Sequence, residues 1–149
     1  SVTLEISTKN VTKTVTIDVV EPKVAGINMK TYTAPTYAGG NYNAKAVTGP
    51  VTLFENQEIL VGAQITPNGA AQDYTLTADS EDVQISLEVE NAKTNGLSYQ
   101  TIYVEIYKVS ATKAGTYTLT ATSTKDPSIT GTITLSPEQI EEGKQLKLL

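Results

Sequence analysis

Alternation with period two runs through most of this chain, and it limits the backbone to strands. Val2, Leu4 and Ile6 alternate with Thr3, Glu5 and Ser7. Val11, Lys13, Val15, Ile17 and Val19 then alternate with Thr12, Thr14, Thr16 and Asp18. A strand turns successive side chains to opposite faces, so such a run has one apolar face and one polar face. The two runs flank Lys9 and Asn10 and read as a β-hairpin. Comparable runs cover Leu53 to Thr66, Tyr74 to Ala78, Val83 to Val89, Tyr99 to Val109, Tyr117 to Ala121 and Ile129 to Leu135. Turn-forming clusters separate them: Pro67-Asn68-Gly69, Asp79 to Asp82, Asn95-Gly96, Ala114-Gly115 and Lys125-Asp126-Pro127. Many short strands at this spacing predict an all-β chain folded as an antiparallel β-sandwich.

Composition agrees and removes whole classes of chemistry. Of 149 residues, 24 are Thr, 13 Val and 11 Ile, the β-branched residues that suit a pleated sheet. There is no His, Cys or Trp, and all 11 basic residues are Lys. A Ser-His-Asp triad, a thiol nucleophile and the usual zinc ligand sets are therefore excluded. With a net charge of -5 and no Arg, a surface that tracks nucleic-acid phosphates is not expected. No run of apolar residues is long enough for a membrane-spanning helix. The chain opens at Ser1 on a strand pattern with no signal-peptide character, which reads as a piece of a longer polypeptide.

One hairpin can be registered in advance. A two-residue turn at Asn95-Gly96 would pair Thr94 with Leu97, setting Val89 opposite Ile102, Leu87 opposite Val104 and Ile85 opposite Ile106. Tyr99, Tyr103 and Tyr107 would then share the face away from the core, beside Glu88, Glu90 and Glu105.

Residues 2–22, VTLEISTKNVTKTVTIDVVEP, also echo residues 117–137, YTLTATSTKDPSITGTITLSP, at an offset of about 115 residues. Both are Thr-rich strand pairs with a Lys-containing turn, closed by Pro22 and Pro137. The echo divides the chain into 1–21, the last hairpin of a preceding module or extra strands of the same sandwich; 22–136, one full module; and 137–149, the start of a following module or a tail.

The stretch AGTYTLTATSTKDPSITGTITLS, residues 114–136, resembles the last two strands of bacterial immunoglobulin-like domains of the group 2 type. Tyr117, after Gly115 and two residues before Leu119, resembles the tyrosine corner of that fold. The resemblance implies an immunoglobulin-like sandwich. The Lys-rich, Arg-free, Cys-free, Thr-rich composition is similar to bacterial surface-layer proteins, which implies an extracellular, cell-surface structural role and calcium dependence.

Three features are candidate sites. Asp79, Glu81 and Asp82 crowd one turn, and calcium takes several hard oxygen ligands of this kind; EF-hand spacing is absent. The loop TAPTYAGGNYNAK, residues 33–45, offers Tyr37, Asn41, Tyr42 and Asn43 around Gly39 and Gly40, the composition of a contact loop for a neighbouring module or a glycan. The Tyr99, Tyr103 and Tyr107 stripe could serve the same partners. Glu88, Glu90 and Glu105 raise glycoside hydrolysis, but a flat sheet lacks the cleft that two flanking carboxylates require. Lys13, on the apolar register of its strand, is the candidate for an intramolecular isopeptide bond. The expectation is a non-catalytic structural module meeting other copies or neighbouring modules, with a glycan-binding adhesin or a phage virion module as the other readings.

Overall fold

In a computed structural model of the protein, residues 2–18, 20–95 and 101–139 are described. Eleven strands follow one another: β1 Val2–Ser7, β2 Thr12–Ile17, β3 Gly26–Thr33, β4 Asn43–Ala46, β5 Val51–Phe54, β6 Ile59–Thr66, β7 Tyr74–Ala78, β8 Val83–Asn95, β9 Thr101–Ala111, β10 Tyr117–Ser123 and β11 Thr130–Glu138. Strands β3 to β11 form two sheets, ordered β4-β3-β6-β9-β8 and β5-β11-β10-β7. With β3 as strand A and β5 as A′, these are A-B-E-D, with β4 added at its edge, and A′-G-F-C. This is the immunoglobulin-like arrangement of two packed antiparallel sheets. One pair is parallel, β5 with β11, from Val51↔Leu135 to Phe54↔Glu138.

The core forms where the two apolar faces meet. Val61, Ala63 and Ile65 on β6 face Leu119 and Ala121 on β10 and Ile133 and Leu135 on β11; each is 5% exposed or less. Burying a side chain of Ile or Leu size contributes about 1.5–3 kcal/mol. Tyr117 enters β10 with its ring buried, and its hydroxyl donates to the Lys113 carbonyl at 3.1 Å. That hydrogen bond is the tyrosine corner, and Leu119 occupies the fully buried position two residues on.

The run Leu53 to Thr66 is two strands in different sheets. Between them Gln57 accepts the Phe54 N–H through Oε1 at 2.8 Å, and Asn56 takes a left-handed φ of 63°, turning the chain from one sheet to the other. Strands β3 and β4, which the alternation did not announce, complete the larger sheet through Gly26↔Thr66 and Thr33↔Asn43.

The expected register of β8 and β9 is overturned. Thr94 pairs with Ile102, Val89 with Ile106, Leu87 with Tyr107 and Ile85 with Val109. Two irregularities, between Leu87 and Val89 and between Val89 and Ala92, each place an extra residue in β8. The cause is a second apolar cluster, on the outer face of the larger sheet: Tyr32, Ala92, Val104 and Ile106, with Tyr42, Leu60, Val89 and Ile102 packed against it. Strand β9 therefore buries Val104 and Ile106 outward and Val109 and Ala111 inward. A register chosen to serve one apolar face cannot serve both. Gly62 makes room for this cluster, because a Cβ there would stand 2.8 Å from Cε1 of Tyr32.

The chain enters and leaves the sandwich at opposite poles. Gly26 lies beside Thr66, at the pole that carries the 67–73 and 124–129 loops. Glu138 lies at the other pole, where its carbonyl accepts the Glu55 N–H at 2.9 Å and the Pro137 carbonyl accepts that of Gly115 at 3.2 Å.

Tyr117→Phe keeps the ring and removes the corner hydrogen bond. Thermal unfolding followed by circular dichroism should show a melting temperature lower by roughly 3–5 °C; an unchanged value would mean that the corner contributes nothing.

Candidate functional site

The tyrosine stripe does not survive as one exposed ladder. Tyr103 is 56% exposed and pairs with Lys93, whereas Tyr107 turns into the sandwich and meets Tyr74 edge-on with ring centroids 5.7 Å apart. The Tyr107 hydroxyl donates to Glu105 Oε2 at 2.9 Å, and that of Tyr74 donates to the Glu105 carbonyl. Burial, reinforced by the Glu105 carboxylate, pushes the Tyr107 phenol up to about 12. Burial alone lifts Tyr32 to about 12 and, as the leading cause, lifts Tyr74 further. Tyr99 lies outside the described residues.

The extra residues in β8 also part the three carboxylates that a single face would have gathered. Glu88 goes to Lys108, whose ammonium stands 3.3 Å from Glu88 Oε2 and 3.3 Å from Glu58 Oε2. These two hydrogen bonds hold the Lys108 pKa above its ordinary value. Glu90 instead lines a shallow, open depression with Glu105, Tyr103, Asn91, Gln72 and Asp73. Sequence spacing could not foretell this split, because it follows from the outer cluster.

In the 33–45 loop one tyrosine is presented and one is docked. Tyr37 is 71% exposed, and Gly40 folds back beneath its ring, where a Cβ would lie 3.1 Å from the tyrosine Cζ. Gly39, with φ 79°, makes the bend. Tyr42 packs against the outer cluster and its N–H donates to the Lys93 carbonyl at 2.8 Å. Asn41 Nδ2 donates to Asn95 Oδ1 at 2.9 Å, and Asn43 is exposed opposite Thr33 in β4. The loop is thus pinned to β8 on one side and offers Tyr37 on the other.

The acidic turn is organised by its own hydrogen bonds. Asp79 Oδ1 accepts the Thr118 N–H at 3.0 Å, Ser80 Oγ accepts the Asp82 N–H at 3.1 Å, and the Asp82 carbonyl accepts the Thr112 N–H at 2.9 Å. Among the described residues no three acids gather into a group able to hold a metal ion. Lys13 is exposed on β2, opposite Ile6 on the apolar face of the β1–β2 pair.

Contacts at the first pole were not anticipated. Glu21 pairs with Lys125 at 3.3 Å, Pro22 lies against Gly69, and Val24 packs against the core. The prolines and charges gave no hint of these partners, since each contact joins segments far apart in sequence. No family model, no curated protein and no solved structure matches this chain.

Two outcomes follow. The folded state holds the Tyr32 and Tyr107 protons more tightly than the unfolded chain, whose phenols titrate near 10. The stability this gives is complete below pH 10 and is lost as pH rises from 10 through about 12. Urea midpoints measured across that range should fall, and a flat profile would refute the burial of these phenols. Melting temperatures in chelator and in millimolar calcium test the acidic turn: a rise of several degrees with calcium would support the calcium expectation, and equal values would count against it.

Proposed function

We propose that this chain is a non-catalytic, immunoglobulin-like structural module of a bacterial surface protein of the surface-layer kind, spacing its neighbours through module-to-module contacts. The observation that carries the reading is that the sandwich is entered at one pole, at Gly26, and left at the other, at Glu138. A sandwich entered at Gly26 and left at Glu138 extends a polypeptide with every module it adds. Force applied along that line loads β3 against β6 where the chain enters and the parallel β5–β11 ladder where it leaves, each along the strand direction. The contacts of Glu21, Pro22 and Val24 support the same reading, because they hold the incoming segment against the pole instead of leaving a free linker. The group 2 resemblance of residues 114–136 and the Arg-free, Cys-free composition point to the bacterial cell surface.

An adhesive module that recognises a glycan or a protein is the second reading. Its support is the exposure of Tyr37 at 71% and Tyr103 at 56%, large amphipathic rings open to a partner. A phage virion module would share the fold without the cell-surface location.

Antibody raised against the purified chain should label intact cells of the organism that encodes it. Labelling that requires permeabilised cells would refute the surface assignment. A glycan array bound by the wild type and lost in Tyr37→Ala would favour the adhesive reading over the structural one.

A further inference from the structure

The hairpin β1–β2 is a two-stranded sheet whose apolar face is bare among the described residues. Its register sets Val2 opposite Ile17 and Leu4 opposite Val15, with Ile6 on the same face; these side chains are 43–59% exposed. The opposite face is Thr3, Glu5 and Ser7 paired with Thr16, Thr14 and Thr12. A hairpin alone is marginally stable, and a contiguous exposed apolar face marks a surface that something covers.

What covers it can be read from β10–β11, which the hairpin repeats pair by pair. Val2↔Ile17 stands where Tyr117↔Leu135 stands, and Leu4↔Val15 where Leu119↔Ile133 stands. On the polar face Thr3↔Thr16 matches Thr118↔Thr134, and Ser7↔Thr12 matches Thr122↔Thr130. In β10–β11 the apolar positions are buried in the core shared with Ile27, Val61 and Ile65 of β3 and β6. The same face in β1–β2 has the chemistry of a sandwich half without its other half.

One pair departs from the match in an informative way. Ile6↔Lys13 stands at the place of Ala121↔Gly131. Gly131 is small because the Ile27 carbonyl would lie 2.8 Å from a Cβ there. A sheet that covers Lys13 must stand farther off at that corner and let the ammonium reach water.

We infer that β1–β2 is the F–G hairpin of a second immunoglobulin-like module, its apolar face covered by the A, B and E strands of that module, supplied by the same polypeptide ahead of Val2. The inference rests on the tandem-module reading above. A second copy of this chain is disfavoured as occupant because its own β3 and β6 are already covered by β10–β11. F and G come last in chain order in this fold, so the missing strands fall before them. The following segment is also built as a junction, with Glu21 on Lys125 at 3.3 Å and the Ala25 N–H on the Thr66 carbonyl at 2.8 Å.

Hydrogen exchange on the natural polypeptide, together with its coding sequence upstream of Ser1, tests this. The expected result is a preceding segment of at least about 80 residues with alternating strands, and amides of residues 2–17 protected as strongly as those of 117–135. In the chain of 149 residues alone, amides 2–17 should exchange freely and Leu4→Asp should leave the melting temperature unchanged. In the natural polypeptide the same substitution should unfold the upstream module while sparing this one. An upstream segment too short for the missing strands, or exposed 2–17 amides in the natural polypeptide, would overturn the inference. So would a dimer of this chain that Leu4→Asp dissolves, since a second copy would then be the occupant. Amide protection does not depend on where the protein resides. Failure to label intact cells therefore sinks the surface reading and leaves this one standing.

Discussion

An alternating strand has one apolar face, and that face must be covered. The rest of this structure follows from that constraint. With 24 Thr and few long apolar runs, most strands can bury only one face, so the chain closes two half-apolar sheets over each other. Strand β6 alone among the described strands is buried on both sides along most of its length. Leu119, Ile133 and Leu135 on one sheet and Val61, Ala63 and Ile65 on the other are the result. The tyrosine corner then fixes how β10 enters the core, and the Asn56 turn carries the chain from A′ to B across the two layers. Where a face is covered twice, as at β9, the strand yields: two extra residues in β8 let Val104 and Ile106 serve one cluster while Val109 and Ala111 serve the other.

The same constraint distributes the surface. Tyr107, which a flat sheet would have displayed, and Tyr42 of the 33–45 loop are drawn into cover, and Tyr37 and Tyr103 are left outside. Glu88 is taken by Lys108, and Glu90 joins Glu105 at an open depression. Exposed ion pairs of this kind add little to stability, so their arrangement records the fold more than it supports it. The structural reading draws its support from the poles.

Most strands were legible because alternation is a local signal. Tyr74 to Ala78 matches β7 residue for residue, and Tyr117 to Ala121 and Ile129 to Leu135 fall within two or three residues of β10 and β11. The corner was legible because its partners, Lys113 and Tyr117, are four residues apart. Strands β3 and β4 escaped because Gly26 to Ala46 mixes small, polar and aromatic residues, and pairing with β6 supplies what propensity does not. The β8–β9 register escaped for a different reason: Asn95-Gly96 is a good turn signal, but tertiary cover on two faces outweighed it. The turn at 79–82 was legible as an acidic cluster, but its ties to Thr118, through the Asp79 carboxylate, and to Thr112, through the Asp82 carbonyl, join segments that no local pattern connects.

The central claim is that this is an end-to-end module whose line of force crosses the β5–β11 ladder. Single-molecule stretching of the chain between its two poles measures that directly. The account predicts a single cooperative unfolding step that releases roughly 35–40 nm of contour length, with Val51→Pro, which removes a ladder donor, lowering the unfolding force. Gradual extension at low force, or a main step indifferent to Val51→Pro, would contradict it.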